Sequence, residues 1–143
     1  METLEVIISV SVVVAVLFIM TAGFIISKKE TGTGWKKKAM HKLDELIVLS
    51  NNDEQAFIKT AIMEADKLLD FVLEQSRLQG ETLGEKLKKS EKAFKKRESF
   101  ERAWNGHKVR NSLAHDLHFR ADNSQLRKAF SDLAAAIRDL ASY

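Results

Sequence analysis

Residues 53–78 read DEQAFIKTAIMEADKLLDFVLEQSRL and carry the clearest structural pattern of this chain. Apolar side chains recur at steps of four and three, at Ile58, Ile62, Ala65, Leu69 and Val72. This spacing places them on one face of an α-helix, because such a helix has 3.6 residues per turn. The stretch therefore predicts a long amphipathic helix whose apolar face is buried against other elements.

Four further segments complete the predicted bundle. Helices are expected over residues 40–49, over 83–96, from Ser99 to the polar stretch 107–116, and over 123–143. Asp122 or Asn123 is expected to cap the last helix. The chain has no Pro and only six Gly, whereas sandwiches and barrels need frequent turn residues. The pattern predicts a four- to five-helix bundle.

A second stretch, residues 6–27, is apolar throughout and contains no ionisable side chain. A helix of this length rises about 33 Å, which matches the hydrocarbon core of a bilayer. A cleaved signal peptide would need basic residues before the apolar run, and only Glu2 and Glu5 precede it. We therefore predict a transmembrane anchor over residues 1–27, with the span at 6–27.

The charges that follow this span predict its orientation. Lys28 and Lys29 come directly after it, and three further lysines follow at 36–38. The positive-inside rule then places the N-terminus outside and the rest of the chain in the cytoplasm. The predicted organisation is a single-pass cell-membrane protein, with a flexible basic tether at 28–34 and a helical domain at 35–143. Its fold class is all-α, with one N-terminal transmembrane helix followed by a cytoplasmic four- to five-helix bundle.

Composition excludes several kinds of site. The chain has no Cys, so disulfides, thiolate metal sites and cysteine nucleophiles are excluded. A metal site built from His107, His115 and His118 is disfavoured, because their spacing fits no known ligand set and Arg110 would repel a cation. We expect no metal and no cofactor, and any catalysis must come from His and Arg side chains.

Residues 107–116, HKVRNSLAHD, contain the one constellation that could carry chemistry. His107, Asn111 and His115 are spaced four apart, so they share one face of a helix. Arg110 lies on the adjoining edge. Packing alone does not require two imidazoles, an amide and a guanidinium within about two turns.

This segment resembles the HEPN superfamily (higher eukaryotes and prokaryotes nucleotide-binding domains), in a membrane-anchored bacterial form. Arg110, Asn111 and His115 fit its R-x4-6-H signature with a polar residue after the Arg. The resemblance covers roughly residues 40–143, and only the motif is specific. It implies a helical domain that binds RNA and acts as a metal-independent endoribonuclease, leaving 2′,3′-cyclic phosphate ends.

The resemblance also implies roles for individual residues. His115 would be the general acid or base, Arg110 would hold the scissile phosphate, and Asn111 would orient the phosphate or the His ring. His107 would support them. An acid on another helix often assists, and Glu64 or Asp70 are the candidates. Family members often form homodimers through the motif helix. The sequence leaves open whether the chain also has a protein partner, such as a neutralising antitoxin.

Positive charge is concentrated just before the motif. Residues 85–110 carry ten basic and four acidic side chains, a net charge of +6. The candidates for binding RNA or anionic lipid are Lys88, Lys89, Lys92, Lys95, Lys96 and Arg97. An ordinary solvated helix face is the alternative.

A second function therefore stays open beside RNA cleavage. In it, the chain is a non-catalytic interaction or dimerisation module at the membrane. Arg110 and Asn111 would then cap the C-terminal carbonyls of their helix, and His115 would bond a loop carbonyl.

Overall fold

A computed structural model describes residues 34–142, which are about 79% helical. Within these described residues, five α-helices follow one another: α1 Gly34–Ser50, α2 Gln55–Gln75, α3 Leu83–Lys89, α4 Arg97–His115 and α5 Asn123–Ala141. A 3₁₀ turn, Glu91–Ala93, lies between α3 and α4. Residues 35–143 form one compact unit. The predicted helical bundle is confirmed.

The predicted fold class needs one correction, which concerns the transmembrane helix. No helix within residues 34–142 is long and apolar enough to cross a bilayer. The longest, α2, has 21 residues, but its outer face carries charged side chains such as Lys59 and Lys67. Including a transmembrane helix in the fold class was therefore wrong for the fold that the structure describes. The span predicted at 6–27 lies outside the described residues, and the location in the cell membrane stays a prediction.

The core lies between α2, α4 and α5. The α2 residues predicted to face inward are all fully buried: Ile58, Ile62, Ala65, Leu69 and Val72. The same holds, to within a few per cent, for the predicted stripe of α5, which comprises Leu126, Phe130, Leu133, Ile137 and Leu140. Each of the larger side chains, which excludes Ala65, contributes about 1.5–3 kcal/mol when fully buried. Helix α5 contacts both α2 and α4, so it is the central element of the domain.

Helix α4 approaches α5 closely at Gly106, which is buried. A Cβ atom placed at this glycine would lie 2.5 Å from Cγ of Leu133 and 3.1 Å from the carbonyl oxygen of Ala129. Those separations are shorter than packed atoms tolerate, so the absence of a side chain sets the distance between the helices.

Helix α2 ends earlier than the sequence predicts, because the chain turns at Arg77. This residue has a positive φ of 64°. The N–H of Leu78 donates to the carbonyl of Leu73 at 3.1 Å, and that of Arg77 donates to Glu74 at 2.9 Å. This is a Schellman ending, usually made by glycine. Because Arg77 is not a glycine, the sequence does not predict this helix end.

Helix α3 was predicted to run to Lys96 but ends at Lys89. The buried Ser90 hydroxyl donates to the carbonyl of Leu87 at 2.9 Å, which satisfies the last turn. Beyond the 3₁₀ turn the chain is extended at Phe94. There a carboxylate oxygen of Asp139 accepts the Lys95 N–H at 2.7 Å. The predicted lysine-rich helix is therefore two short pieces and a loop.

The ends of the last two helices differ in how they are capped. Helix α4 begins at Arg97, two residues before the predicted Ser99, and no side chain caps it. Helix α5 has a complete capping box. Asp122 accepts the N–H of Gln125 at 2.8 Å, and the Gln125 side chain accepts the N–H of Asp122 at 3.0 Å. The prediction that Asp122 or Asn123 caps this helix is confirmed for Asp122.

Candidate functional site

An open cleft of about 740 Å³ is lined by residues of α2, α3 and α4. We call it the motif cleft, because α4 contributes the residues of the sequence motif. Its lining includes Asp66, Lys88, Trp104, His107, Lys108, Arg110 and Asn111. It is the natural candidate site, since it combines concave shape with convergent polar groups.

Asp66 is the centre of the polar cluster in this cleft. Its side chain projects from the core face of α2 and is buried. Its Oδ1 lies 2.8 Å from Nδ1 of His107, and its Oδ2 lies 3.2 Å from Nε of Arg110. A buried carboxylate needs such partners, because an unpaired charge in the interior is costly. Asp66 therefore fastens α4 to α2 through two side chains one turn apart.

Asn111 closes these contacts into a ring of four side chains. Its Oδ1 accepts Nη1–H of Arg110 at 3.1 Å, and its Nδ2 lies 3.1 Å from Nε2 of His107. Arginine can only donate, so the Asn111 oxygen faces Arg110 and its NH₂ faces the imidazole. Nε2 of His107 then accepts, and Nδ1–H donates to the carboxylate of Asp66. The ring fixes one tautomer of His107.

The ring holds the motif residues in place. Every member binds two others, and Trp104 packs edge-on against His107 with ring centroids 6.2 Å apart. Arg110 and Asn111 thus need not be ordered when a ligand arrives. The arrangement therefore holds a guanidinium and an amide at the wall of an open cleft.

The structure brings together three of the four predicted motif residues. His107, Arg110 and Asn111 join the ring, whereas His115 is the last residue of α4 and is exposed. Within the described part of the chain, His115 makes no hydrogen bond or ion pair. Arg110 and Asn111 bind side chains. They do not cap the C-terminal carbonyls of α4, as the non-catalytic alternative predicts.

The acidic partner differs from the two candidates named from the sequence. Glu64 pairs with Lys67 at 2.8 Å on the surface, and Asp70 pairs with the buried Lys86 at 2.9 Å. The acid that contacts the motif residues His107 and Arg110 is Asp66 instead. The sequence contained a signal for it, because Asp66 lies four residues after Ile62 and three before Leu69, within the apolar stripe. A charge in that position needs a buried partner.

The six basic residues proposed for RNA or lipid do not share one surface. Lys88 lines the motif cleft. The Nζ of Lys89 donates to the Gln79 carbonyl at 3.0 Å, and that of Lys95 donates to the Ser142 carbonyl at 3.0 Å. The remaining three are exposed and do not line the cleft: Lys92, Lys96 and Arg97. Arg97 forms ion pairs with Glu91 and Glu101, which lie close to it in the sequence.

Metal ligation is not supported by any cluster in the part of the chain described. Residues 34–142 contain no group of three or more His, Asp or Glu side chains placed to hold an ion. The nitrogens of His107 are both engaged in the ring, and the guanidinium of Arg110 lies beside it.

No protein-family model, curated protein or solved structure matches this chain. The resemblance to HEPN domains therefore depends on the motif and its helical setting, and it stays a prediction.

Proposed function

We propose that this chain binds RNA in the motif cleft and cleaves it without a metal ion. The observation that carries the proposal is the ring around Asp66, which presents an anchored Arg110 and Asn111 to an open cleft. Both residues belong to the motif that resembles HEPN domains.

The charges around the cleft favour a polyanion. Lys88 and Lys108 line it and have no ion-pair partner among the described residues. The Asp66 charge is balanced by Arg110, and that of Asp70 by Lys86. Glu85 also lines the cleft and has no ion-pair partner among the described residues, so two unpaired lysines stand against one unpaired acid. The remaining positive charge should attract phosphate groups, and affinity should fall steeply with salt.

Arg110 is suited to hold a phosphate. Asp66 lies 3.2 Å from its Nε as an ion-pair partner, and Asn111 accepts a hydrogen bond from its Nη1. Nη2 takes part in neither contact, and we assign it to the ligand. A guanidinium bound in this way forms charge-assisted hydrogen bonds with little loss of side-chain entropy. Trp104, half-buried in the same cleft, offers a ring against which a base can pack.

The chemistry would depend on His115. It follows Asn111 by one helical turn on the same face, about 6 Å along the axis. In the proposed step a base removes the proton of the RNA 2′-hydroxyl, and the oxygen attacks the adjacent phosphorus. The bond to the 5′-oxygen breaks, that oxygen receives a proton, and a 2′,3′-cyclic phosphate remains. His115 would act as the base or acid, and a second copy in a dimer would supply the other.

The test is RNA cleavage by the purified full chain in EDTA, with analysis of the product ends. We expect 2′,3′-cyclic phosphate ends, and a rate at least 100-fold lower for His115→Ala. His118→Ala is the matched control, because His118 is also exposed and lies three residues further on. Equal cleavage by wild type and His115→Ala would overturn the catalytic assignment.

A substrate with a 2′-deoxy residue at the cleavage position separates binding from catalysis. It lacks the nucleophile, so it should bind with the affinity of RNA and stay intact. Cleavage of this oligomer would exclude attack by the 2′-oxygen.

A second candidate is non-catalytic self-association through α4. Leu117, two residues after the end of this helix, is 87% exposed, and the four side chains of the ring bind one another as in a structural network. This function predicts a dimer that Leu117→Ser dissociates, measured by analytical ultracentrifugation. It also predicts no RNA affinity at moderate salt.

A further inference from the structure

A second groove lies on the other side of α4, between α4, α5 and the loop that joins them. It has a volume of about 480 Å³ and is lined in part by Asn105, Lys108, Val109, Phe119, Arg120 and Lys128. We call it the distal groove. Lys108 lines both this groove and the motif cleft, so the two concave surfaces meet at that residue.

The inner surface of the distal groove is apolar and made of small side chains. Val109, Ala121 and Ala129 contribute to it, and the half-buried Phe119 lies among the lining residues. Small apolar residues beside an aromatic ring offer a surface on which a flat ligand can pack.

The rim of the distal groove is positively charged. Lys108, Arg120 and Lys128 line it, against one acid, Asp132. That carboxylate is already bound by Lys128 at 2.9 Å and by Arg102 at 2.8 Å. Its negative charge is therefore neutralised, and the groove favours a ligand that carries negative charge beside an apolar part.

The wall of the distal groove is held in place before any ligand binds. The side-chain amide of Gln55, on α2, donates to the carbonyl of Ala121 at 2.9 Å. The carboxylate of Asp116 accepts the N–H of His118 at 2.9 Å, which shapes the preceding turn. Because these contacts already order the groove, binding a ligand there costs little conformational entropy.

We infer that the distal groove receives the base of a neighbouring nucleotide, so that single-stranded RNA crosses α4 over Lys108 from one groove to the other. The inference rests on the proposed function and extends it to the strandedness of the substrate. A duplex cannot supply this contact, because its bases are stacked and paired. The continuity through Lys108 favours RNA over an acidic peptide, which would have no reason to reach the motif cleft.

The experiment compares uncleavable oligonucleotides of two lengths. A 2′-O-methyl dinucleotide is too short to span both sides of a helix roughly 10 Å wide, whereas an octamer can. Binding to the full chain is measured by fluorescence anisotropy at fixed salt. Phe119→Ala should weaken octamer binding about tenfold, since it removes one base–aromatic contact, and should leave dinucleotide binding unchanged.

Two variants serve as controls for the integrity of the groove. Phe119→Tyr keeps the ring and should retain octamer affinity, which shows that the loss in Phe119→Ala is not local unfolding. Lys38→Gln removes an exposed charge of α1 that lines neither groove. It should leave both affinities unchanged, whereas Lys88→Gln, within the motif cleft, should weaken both.

The outcomes separate this inference from the proposed function. If Lys88→Gln weakens both oligomers but Phe119→Ala weakens neither, the distal groove does not bind RNA and the motif cleft still does. If wild type binds neither oligomer, both proposals fail. If a poly-glutamate peptide binds in a Phe119-dependent manner while the octamer does not, the groove is a peptide site and the inference is overturned.

Discussion

Two buried carboxylates lie on opposite sides of α4, and each has two cationic or imidazole partners. Asp66 of α2 contacts His107 and Arg110, both from α4. Asp132 of α5 contacts Arg102 from α4 and Lys128 from its own helix. Both acids fall on the core face of an amphipathic helix, so both couple α4 to a neighbour.

The difference between them lies in how far their partners reach into water. The side chains of His107 and Arg110 are 12% and 24% exposed, whereas those of Arg102 and Lys128 are 32% and 73% exposed. A partner that reaches solvent is hydrated when its acid is removed, but a shielded one loses its charged partner without gaining water in exchange. The Asp66 region therefore depends on its pairing, and the Asp132 region depends on it less.

The largest effect should come from removing the acid of the shielded region. Asp66→Ala leaves His107 and Arg110 without their shared acceptor, and we expect the free energy of unfolding to fall by about 3 kcal/mol. Urea denaturation of the full chain measures it. Glu64→Ala, which removes a half-exposed acid two residues away, should cost below about 0.5 kcal/mol. Equal losses in the two variants would show that the ring contributes no stability.

The next effect concerns the close contact between α4 and α5 at Gly106. Gly106→Ala places a methyl group against Leu133, and the overlap should cost about 2 kcal/mol of unfolding free energy. Because Gly106 faces α5, the NMR signal of Arg102 Nε–H should shift while the ring signals of His107 stay in place. Shifts at His107 as large as those at Arg102 would contradict the view that the two regions respond separately.

A smaller effect is expected from the more exposed acid. Asp132→Ala should lower the free energy of unfolding by about 1 kcal/mol, because Arg102 and Lys128 can turn to water. The measurement is the same urea titration, with Asp139→Ala as a second acid on the same helix. If Asp132→Ala lowers the free energy of unfolding as much as Asp66→Ala does, the exposure of the partner side chains does not determine the loss.

The smallest effect on stability is expected at Glu45. This acid is exposed and serves as a reference for the buried Asp66 and Asp132. A hydrogen bond from Lys42, together with its charge, lowers the pKa of Glu45 below its ordinary value of 4.5. A lowered pKa stabilises the fold above that value and the contribution is lost as the pH falls through the folded pKa. Wild type should therefore be slightly more stable than Glu45→Gln at about pH 7 and no different at about pH 2. A difference that grows on acidification would have the wrong sign.

The periodic parts of the fold could be predicted from the sequence, and the helix ends could not. The stripes of α2 and α5 follow directly from spacing, because burial requires one apolar face. The end of α2 depends on a positive φ at Arg77, a residue type that rarely adopts it. The end of α3 depends on Ser90, whose hydroxyl bonds the helix only once the loop beyond it is packed.

The candidate site was predicted in part. A helical wheel of α4 correctly puts His107 and Asn111 on one face, and Arg110 completes their cluster. It could not identify the acid, because Asp66 meets these residues only through the packing of α2 against α4. The basic block was treated as one surface, since a count of charges along the chain does not contain the turn at Ser90 that separates Lys88 from Lys95.

The ring around Asp66 also provides a spectroscopic reporter. In the tautomer that the ring fixes, the Nδ1–H of His107 points at the buried carboxylate of Asp66. A proton held in that way exchanges slowly with water and gives a separate line far downfield in a proton spectrum. Because His107 lines the motif cleft, the chemical shift of that single line should change when a ligand occupies the cleft of the unlabelled protein.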